Sequence, residues 1–251
     1  MKYVLPVNHG LSERVIKTLM FTEDGGPSLT DAQYAALKAG IGTGSSALVV
    51  SPTSTGKTQI AVWAIANGIE ANANTVYLVT HRALAKQKFE DFKKLLSAEY
   101  FKGDLSGIVL ATGDNVVNGK GECPADPLRS QLLVATYEKY LAMLSASGVP
   151  SSMANTVVVC DEIQLLGDKY RGQNVEVLLT LLRNAGWKQF VGLSAVLYPK
   201  DAEELSSWLN VTLVRVTTRE KDLRYEYWST SGIESELLSN LVYGVLRRPS
   251  A

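Results

Sequence analysis

Short apolar runs alternate along the chain with longer stretches whose apolar residues recur at helical spacing. The apolar runs predict strands at Ala47–Val50, Thr75–Val79, Gly107–Ala111, Leu132–Ala135, Thr156–Cys160, Phe190–Leu193 and Val211–Val216. The helical spacing predicts helices at Asp31–Ala39, Lys57–Gly68, Arg82–Leu96, Tyr137–Leu144, Asn174–Ala185 and Ala202–Leu209. Because the strand runs are apolar almost throughout, helices should cover both faces of the sheet. The alternation predicts the α/β class, with a mostly parallel sheet.

Two stretches between and after these elements have a different composition. Gly113–Pro127 is rich in Gly, Asn, Asp and Pro, which predicts a long loop between two strands. Ser229–Glu234 has the composition of a linker, and Glu236–Arg248 has the apolar spacing of an amphipathic helix.

Composition places few limits on the partner. A chain of 251 residues with 46% hydrophobic content suits one sizeable domain with extra segments, or two small domains. The formal net charge is zero, so only a local basic surface could point to nucleic acid. Such an excess occurs at Lys86, Lys88, Lys93, Lys94 and Lys102. The solvated side of a helix and a nucleic-acid contact explain it equally well.

The two cysteines are not spaced as a metal site or a disulfide framework. Cys160 ends a strongly apolar run and is expected in the core, whereas Cys123 lies in the Gly/Pro-rich loop. The sequence has no signal-peptide pattern and no apolar run long enough to span a bilayer. The cytoplasm is therefore the default expectation for its location.

The segment Ser51–Thr58 carries the strongest chemical signal. It follows a predicted strand and opens a predicted helix with Gly-Lys-Thr, the arrangement of a loop that binds a nucleoside triphosphate. Backbone N–H groups and the helix N-terminus would face the phosphates, Lys57 would reach the β- and γ-phosphates, and the Thr58 hydroxyl would ligate Mg²⁺. The nucleotide-binding candidates of the loop are Pro52, Thr53, Ser54, Thr55, Gly56, Lys57 and Thr58.

This loop departs from the usual pattern at two positions. Glycine is expected where Ser51 stands, and many P-loops also carry glycine where Ser54 stands. Serine enters a tight turn only at a conformational cost. A chance surface turn is the alternative interpretation, and the flanking strand and helix favour the phosphate-binding loop over it.

The predicted strand Thr156–Cys160 is followed directly by two acids, Asp161 and Glu162, which form a second candidate catalytic element. Asp161 would hold Mg²⁺ through water, and Glu162 would orient or deprotonate the attacking water. A helix N-cap with a first-turn acid is the structural alternative. Because a phosphate-binding loop lies upstream on a predicted strand, the catalytic interpretation is favoured.

Further motifs follow in a recognisable order. Gln33 lies in Leu29–Gln33, Arg82 in Thr80–Gln87, Gly113 in Thr112–Asp114 and Thr136 in Ala135–Lys139. Together with the loop and the acidic pair, they resemble superfamily 2 DExD/H-box helicases, and among these the Ski-type branch.

The resemblance implies a RecA-like P-loop NTPase fold and a role for each motif. Gln33 would recognise adenine. Arg82, Gly113 and Thr136 would contact the nucleic-acid backbone.

A last group of motifs would couple hydrolysis to movement. Ser194, Ala195 and Val196 resemble the Ser-Ala-Thr motif of the family, and Gln164 stands where the branch usually has His or Asp. Val196 lacks the threonine hydroxyl, whereas a glutamine amide can still hydrogen-bond to the Ser-Ala-Thr segment.

The resemblance also implies a domain organisation. Residues 1–28 are a lead-in segment, residues 29–228 the first RecA-like domain, and residues 229–251 a linker with the start of a second RecA-like domain. That second domain of the same parent chain and a nucleic-acid backbone, DNA or RNA, would be the partners, and ATP with Mg²⁺ the cofactors. We expect the chain by itself to bind ATP and Mg²⁺ and to hydrolyse ATP slowly or not at all.

Two other functions remain as alternatives. The domain could be a nucleic-acid-binding clamp that ATP regulates without turnover, with Ser54, Gln164 and Val196 as signs of decay. An unrelated P-loop kinase or GTPase is disfavoured, because the sequence has no recognisable GTPase specificity motif or kinase lid.

Overall fold

The computed structural model describes residues 4–23, 25–113 and 115–218, within one compact unit that spans Met1–Glu220. The predicted linker Ser229–Glu234 and the predicted amphipathic helix Glu236–Arg248 lie outside the described residues. Asp114, the third residue of the Thr112–Asp114 motif, also lies outside them.

The described residues form helices and strands in alternation. The helices are α1 (Glu13–Leu19), α2 (Asp31–Lys38), α3 (Lys57–Glu70), α4 (Arg82–Leu96), α5 (Tyr137–Ser147), α6 (Gly172–Ala185) and α7 (Pro199–Leu209). The strands are β1 (Thr22–Glu23), β2 (Gly26–Pro27), β3 (Ala47–Val50), β4 (Asn74–Val79), β5 (Ile108–Thr112), β6 (Asn115–Asn118), β7 (Leu132–Thr136), β8 (Thr156–Cys160), β9 (Gln189–Ser194) and β10 (Thr212–Arg215). None of the helices in the described ranges is long and apolar enough to cross a bilayer.

Eight of these strands form one sheet in the order β10-β3-β9-β8-β4-β7-β5-β6. Neighbouring strands run parallel except for the antiparallel pair β5 and β6. Because parallel strands present their carboxyl ends at one edge, the loops after β3, β8 and β9 lie next to one another. This edge carries every predicted site motif except the one on α2.

Helices cover both faces of the sheet, and each face has its own apolar core. Along β8, Val157 and Val159 belong to one core, whereas Val158 and Cys160 belong to the other. The near-continuous apolar character of the strands follows from this double coverage. The predicted α/β class with a mostly parallel sheet is therefore confirmed, as is the burial of Cys160.

One structural prediction was wrong. Gly113–Pro127 is not a loop throughout, because residues Asn115–Asn118 form β6 and pair with β5 at the sheet edge. Polar residues occupy both ends of this short strand, since an edge strand is covered on one side only. Short elements were also missed, namely α1 and the β1–β2 pair, which are too brief to show a periodic pattern.

Candidate functional site

The loop between β3 and α3 is closed by its own side chains. The Ser51 hydroxyl is buried and lies 2.8 Å from the Thr55 hydroxyl, which in turn donates to the Pro52 carbonyl at 2.8 Å. Serine at position 51, where a P-loop usually has glycine, therefore contributes a hydrogen bond inside the turn. The turn is held by these bonds before any ligand arrives.

Two residues of this loop have left-handed backbone conformations. Ser54 has φ +65° and Gly56 has φ +76°. Position 56 favours glycine for its conformation, and a Cβ there would also lie 2.2 Å from the Gln33 amide nitrogen and displace that side chain. Ser54 adopts a conformation that costs an L-residue about 1–2 kcal/mol, in agreement with the cost expected from the sequence.

Lys57 begins α3 and folds back over the loop. Its ammonium donates to the Ser51 carbonyl at 2.7 Å and to the Pro52 carbonyl at 2.8 Å. Burial lowers the pKa of Lys57, and the negative charges of Glu162 and Asp161 partly oppose that shift. Lys57 thus lies at the same edge of the sheet as both carboxylates, whose charges favour its protonated form.

Asp161 follows β8, and its carboxylate and carbonyl accept three hydrogen bonds. Its Oδ2 accepts from the Tyr77 hydroxyl at 2.7 Å, its Oδ1 accepts from the Glu162 N–H at 3.1 Å, and its carbonyl accepts from the Tyr137 hydroxyl at 2.9 Å. Burial raises the pKa of Tyr77 well above its usual range, and the charge of Asp161 adds to the shift. Tyr77 therefore remains a donor, and the Asp161 carboxylate has a fixed orientation.

A chain of hydrogen bonds joins the acidic pair to the loop after β3. The Gln164 amide donates to the Glu162 carboxylate, and the Ser194 hydroxyl donates to Gln164 Oε1 at 2.8 Å. The Ser194 carbonyl accepts from the Ser51 N–H at 3.1 Å. The glutamine amide therefore makes the bond to the Ser-Ala-Thr segment that its chemistry allows.

The rest of that segment is less enclosed. Ala195 is half-buried, and the Val196 side chain is 72% exposed. The Val196 carbonyl lies 3.3 Å from the Ser194 hydroxyl and is an alternative acceptor for its single proton. The segment is thus fixed through Ser194 and its backbone, with the Val196 side chain directed to the surface.

Gln33 contacts the phosphate-binding loop directly. Its Oε1 accepts from the Thr30 N–H at 3.0 Å in a capping box, and its Nε2 donates to the Gly56 carbonyl at 3.3 Å. Both ends of the amide therefore have partners inside the protein. Adenine recognition by Gln33 stays a prediction.

The Thr58 hydroxyl already lies against a positive charge. The Lys88 ammonium, on α4, donates to it at 2.8 Å. Hydroxyl and carboxylate oxygens are ligands that Mg²⁺ prefers, so Thr58 and Asp161 fit that ion. Among the described residues, no group of three or more His, Cys, Asp and Glu residues is arranged to hold a metal. Phosphate oxygens would have to complete the coordination.

The three predicted nucleic-acid contacts follow neighbouring strands. Arg82 follows β4, Thr136 ends β7, and Gly113 follows β5. Arg82 is exposed, and a Cβ at Gly113 (φ +50°) would lie 2.7 Å from the Arg82 guanidinium carbon. Thr136 is buried as the N-cap of α5, where its hydroxyl accepts from the Lys139 N–H at 3.3 Å. Any contact there would involve the α5 N-terminus more readily than the hydroxyl.

An ion pair joins these strand ends. Arg171, at the start of α6, donates to Glu138 Oε1 at 2.7 Å and also to the Thr80 carbonyl. The hydrogen bond to Glu138 raises the pKa of Arg171 above its usual value. The pair neutralises the only acid in the first turn of α5, at the edge where Arg82 and Gly113 lie.

Sequence reasoning assigned no role at the nucleotide site to Tyr77, Lys88 or the Arg171–Glu138 pair, and it left Lys88 open as a nucleic-acid contact or a solvated residue. Tyr77 lies within an apolar strand run. Its hydroxyl could have indicated a role, because a buried tyrosine hydroxyl needs a hydrogen-bond partner. Lys88 is half-buried, whereas Lys86 and Lys94 on the same helix are exposed. Nothing in the local spacing of the lysines distinguishes Lys88 from the others.

The amino-acid sequence matches a known protein family. The sequence profile of the DEAD/DEAH box helicase family matches residues 30–205. The chain is 33% identical over 249 residues to the ATP-dependent DNA helicase Hel308 of Pyrococcus abyssi, which covers 95% of this chain and 32% of that protein. It is 32% identical over 213 residues to the ATP-dependent DNA helicase Hel308 of Aeropyrum pernix, which covers 81% of this chain and 26% of that protein. The chain thus spans about a third of the length of these curated relatives or less.

A solved structure has a similar fold. A hypothetical ATP-dependent RNA helicase from Sulfolobus tokodaii superposes with a TM-score of 0.57 and 17% sequence identity, over 81% of this chain and 56% of that one. At this identity the likeness concerns the fold alone. The predicted RecA-like fold is confirmed by it.

Proposed function

The chain belongs to the DEAD/DEAH box helicase family, and from that premise we propose that it is the ATP-binding motor domain of an ATP-dependent nucleic-acid helicase or translocase. One observation carries the proposal. The loop after β3, which leads into Lys57, and the acidic pair Asp161 and Glu162 after β8 lie on either side of β9, and hydrogen bonds through Ser194 and Gln164 join them. A phosphate-binding lysine beside a fixed carboxylate pair is what phosphoryl transfer requires.

Each group has a role at this edge. Lys57 exchanges its bonds to the Ser51 and Pro52 carbonyls for the β- and γ-phosphates of ATP. Thr58 would supply an oxygen ligand to Mg²⁺ and Asp161 would hold the ion through water, and the ion would neutralise charge on the phosphates. Glu162 orients or deprotonates the attacking water. The nucleotide itself is held by the loop Pro52–Thr58.

The partner of the motor would be a nucleic-acid strand held by its backbone. Arg82, Gly113 and the α5 N-terminus at Thr136 form one row along adjacent strands, and a row of this kind binds phosphates with little sequence preference. The curated relatives are named ATP-dependent DNA helicases, which favours DNA as the track. A second RecA-like domain of the parent protein would complete the ATP site and supply the arginine fingers.

The bonds at Gln164 bear on the clamp alternative. A decayed coupling segment would have lost the contact between the acidic pair and Ser194, yet Gln164 bonds to both sides. The motor interpretation is therefore preferred over a clamp without turnover.

Nucleotide binding tests the proposal. Calorimetric titration with the non-hydrolysed analogue AMP-PNP and Mg²⁺ should give saturable one-to-one binding, and Lys57→Ala should weaken it by at least tenfold. Lys94→Ala, which removes an exposed lysine of α4, is the matched control and should bind as the unaltered chain does. Absence of binding by the unaltered chain would refute the proposed function.

A further inference from the structure

The contact between Lys88 and Thr58 is not a local one. The two residues are 30 positions apart, and their 2.8 Å hydrogen bond joins the second turn of α4 to the first turn of α3. Lys88 is half-buried, whereas Lys86, in the same turn, is exposed. The Lys88 ammonium is therefore directed into the site and does not belong to the solvated face of α4.

This position brings two lysines to one small site. Lys57 and Lys88 flank the start of α3, and the charges of Asp161 and Glu162 favour the protonated form of Lys57. Two ammonium groups at the N-terminus of a helix make an arrangement suited to phosphates. In this arrangement the Thr58 hydroxyl oxygen accepts a hydrogen bond from the Lys88 ammonium in the nucleotide-free protein.

Magnesium needs that same oxygen. A Mg²⁺ ion binds an oxygen ligand at about 2.1 Å, so an ammonium that kept its hydrogen bond to the same hydroxyl would share one oxygen atom with the dication. Like charges at such separations also repel strongly in a partly buried site. We infer that Lys88 is a resident cation of the nucleotide site, which Mg²⁺ must displace from Thr58 when the Mg²⁺–nucleotide complex binds. This inference rests on the proposed function, because it concerns the same site.

The consequence is a measurable competition. Removing the Lys88 charge should lower the Mg²⁺ concentration that is needed to form the complex of protein, Mg²⁺ and nucleotide. It should weaken binding of the metal-free nucleotide, because that nucleotide loses one nearby positive charge. A charge-assisted hydrogen bond of the partly exposed kind is worth about tenfold in an equilibrium constant. Lys88→Met should therefore lower the half-saturating Mg²⁺ concentration about tenfold.

The test is a Mg²⁺ titration of AMP-PNP binding, followed by calorimetry or analogue fluorescence, from EDTA to millimolar Mg²⁺. Lys88→Met should shift the titration to lower Mg²⁺, and Lys88→Arg, which keeps the charge, should shift it less. Lys86→Met is the matched control on the same turn and should leave the titration in place. Equal weakening of binding with and without Mg²⁺ would mean that Lys88 only supports the fold, and it would overturn the inference.

A second measurement does not need the nucleotide. In the nucleotide-free protein, Lys88→Met and Thr58→Val should be non-additive in the free energy of unfolding, because each removes the same hydrogen bond. Additive effects would overturn the inference.

The two proposals fail in different ways. If the unaltered chain binds AMP-PNP but Lys88→Met leaves the Mg²⁺ dependence unchanged, the inference falls and the proposed function stands. If the unaltered chain binds no nucleotide, the proposed function falls and the inference falls with it.

Discussion

The Ser194 hydroxyl donates to Gln164 Oε1 at 2.8 Å, and the same amide donates to Glu162. Because the Ser194 carbonyl also accepts from the Ser51 N–H, these bonds run without a break from the acidic pair to the phosphate-binding loop. A shift of the acidic pair or of the phosphate-binding loop on loss of the γ-phosphate would therefore be transmitted to Ser194 through its contacts with Gln164 and with Ser51. This gives Gln164, Ser194 and the backbone of Ala195 and Val196 a physical basis for the proposed coupling role.

Replacing Gln164 with leucine should interrupt that connection. The buried Ser194 hydroxyl would be left with only the Val196 carbonyl as an acceptor, so the unfolding free energy should fall by about 1 kcal/mol. Affinity for AMP-PNP and Mg²⁺ should stay within about twofold, because the loop Pro52–Thr58 is untouched. Urea unfolding and calorimetry measure the two quantities. Gln164→His, which restores a ring acceptor, should recover most of the stability, and a large loss of affinity in Gln164→Leu would contradict the assigned role.

The buried tyrosines should make stability fall at high pH. The pKa values of Tyr77 and Tyr137 are raised well above the ordinary value, mainly by burial, so both stay protonated in the folded protein. In the unfolded chain a tyrosine ionises near pH 10. The stabilising contribution is therefore complete below about pH 10 and is lost as the pH rises above it.

The slope should be about 1.4 kcal/mol per pH unit for each such tyrosine. Urea unfolding between pH 8 and pH 11 measures it. Tyr77→Phe should reduce the slope by that amount above pH 10 and leave it unchanged below pH 9. A slope in Tyr77→Phe equal to that of the unaltered chain would show that the hydroxyl ionises freely in the folded state.

Arg82 should contribute one phosphate contact. For single-stranded DNA each contact adds about 0.7 to the salt slope of binding, so Arg82→Ala should lower the slope by about 0.7. Lys94→Ala, about 18 Å along α4 from Arg82, is the control and should keep the original slope. Fluorescence anisotropy with a labelled oligonucleotide between 50 and 300 mM salt provides the measurement. Loss of sequence preference with an unchanged slope would contradict a backbone contact.

The left-handed Ser54 should be improved by glycine. The conformation at φ +65° costs serine about 1–2 kcal/mol, and glycine loses about 0.5–1 kcal/mol more chain entropy on folding. Ser54→Gly should therefore raise the unfolding free energy by up to about 1.5 kcal/mol, measured by urea unfolding. Ser54→Ala, which keeps the Cβ, should bring no gain. A gain of the same size from alanine would mean that backbone strain is not the cause.

Much of the fold followed from local pattern. Both β3 and β8 begin and end where their apolar runs predict, because a strand covered on both faces has to be apolar along its whole length. The edge strand β6 escaped prediction, since its ends are polar and its pairing with β5 is a tertiary fact. The short helix α1 is defined by its Ser12 cap and by packing against α3, neither of which its seven residues reveal.

The site was predictable where chemistry coincides with a strand end. Lys57 and Asp161 each directly follow an apolar run or its loop, so their meeting at one edge follows from parallel topology. Tyr77 and Lys88 reach the site from within a strand and from the side of a helix. Their roles depend on which side chains pack against them, and one sequence does not contain that information.

The central claim is that Lys57 and Asp161 flank one triphosphate with its magnesium, and the Mg²⁺ dependence of AMP-PNP affinity tests it most directly. With Mg²⁺ the unaltered chain should bind more tightly than in EDTA. Asp161→Asn should lose that gain and keep its affinity in EDTA, whereas Lys57→Ala should be weaker in both conditions. If Asp161→Asn retains the full gain from Mg²⁺, Asp161 and the phosphates do not share a metal and the assignment of this site is wrong.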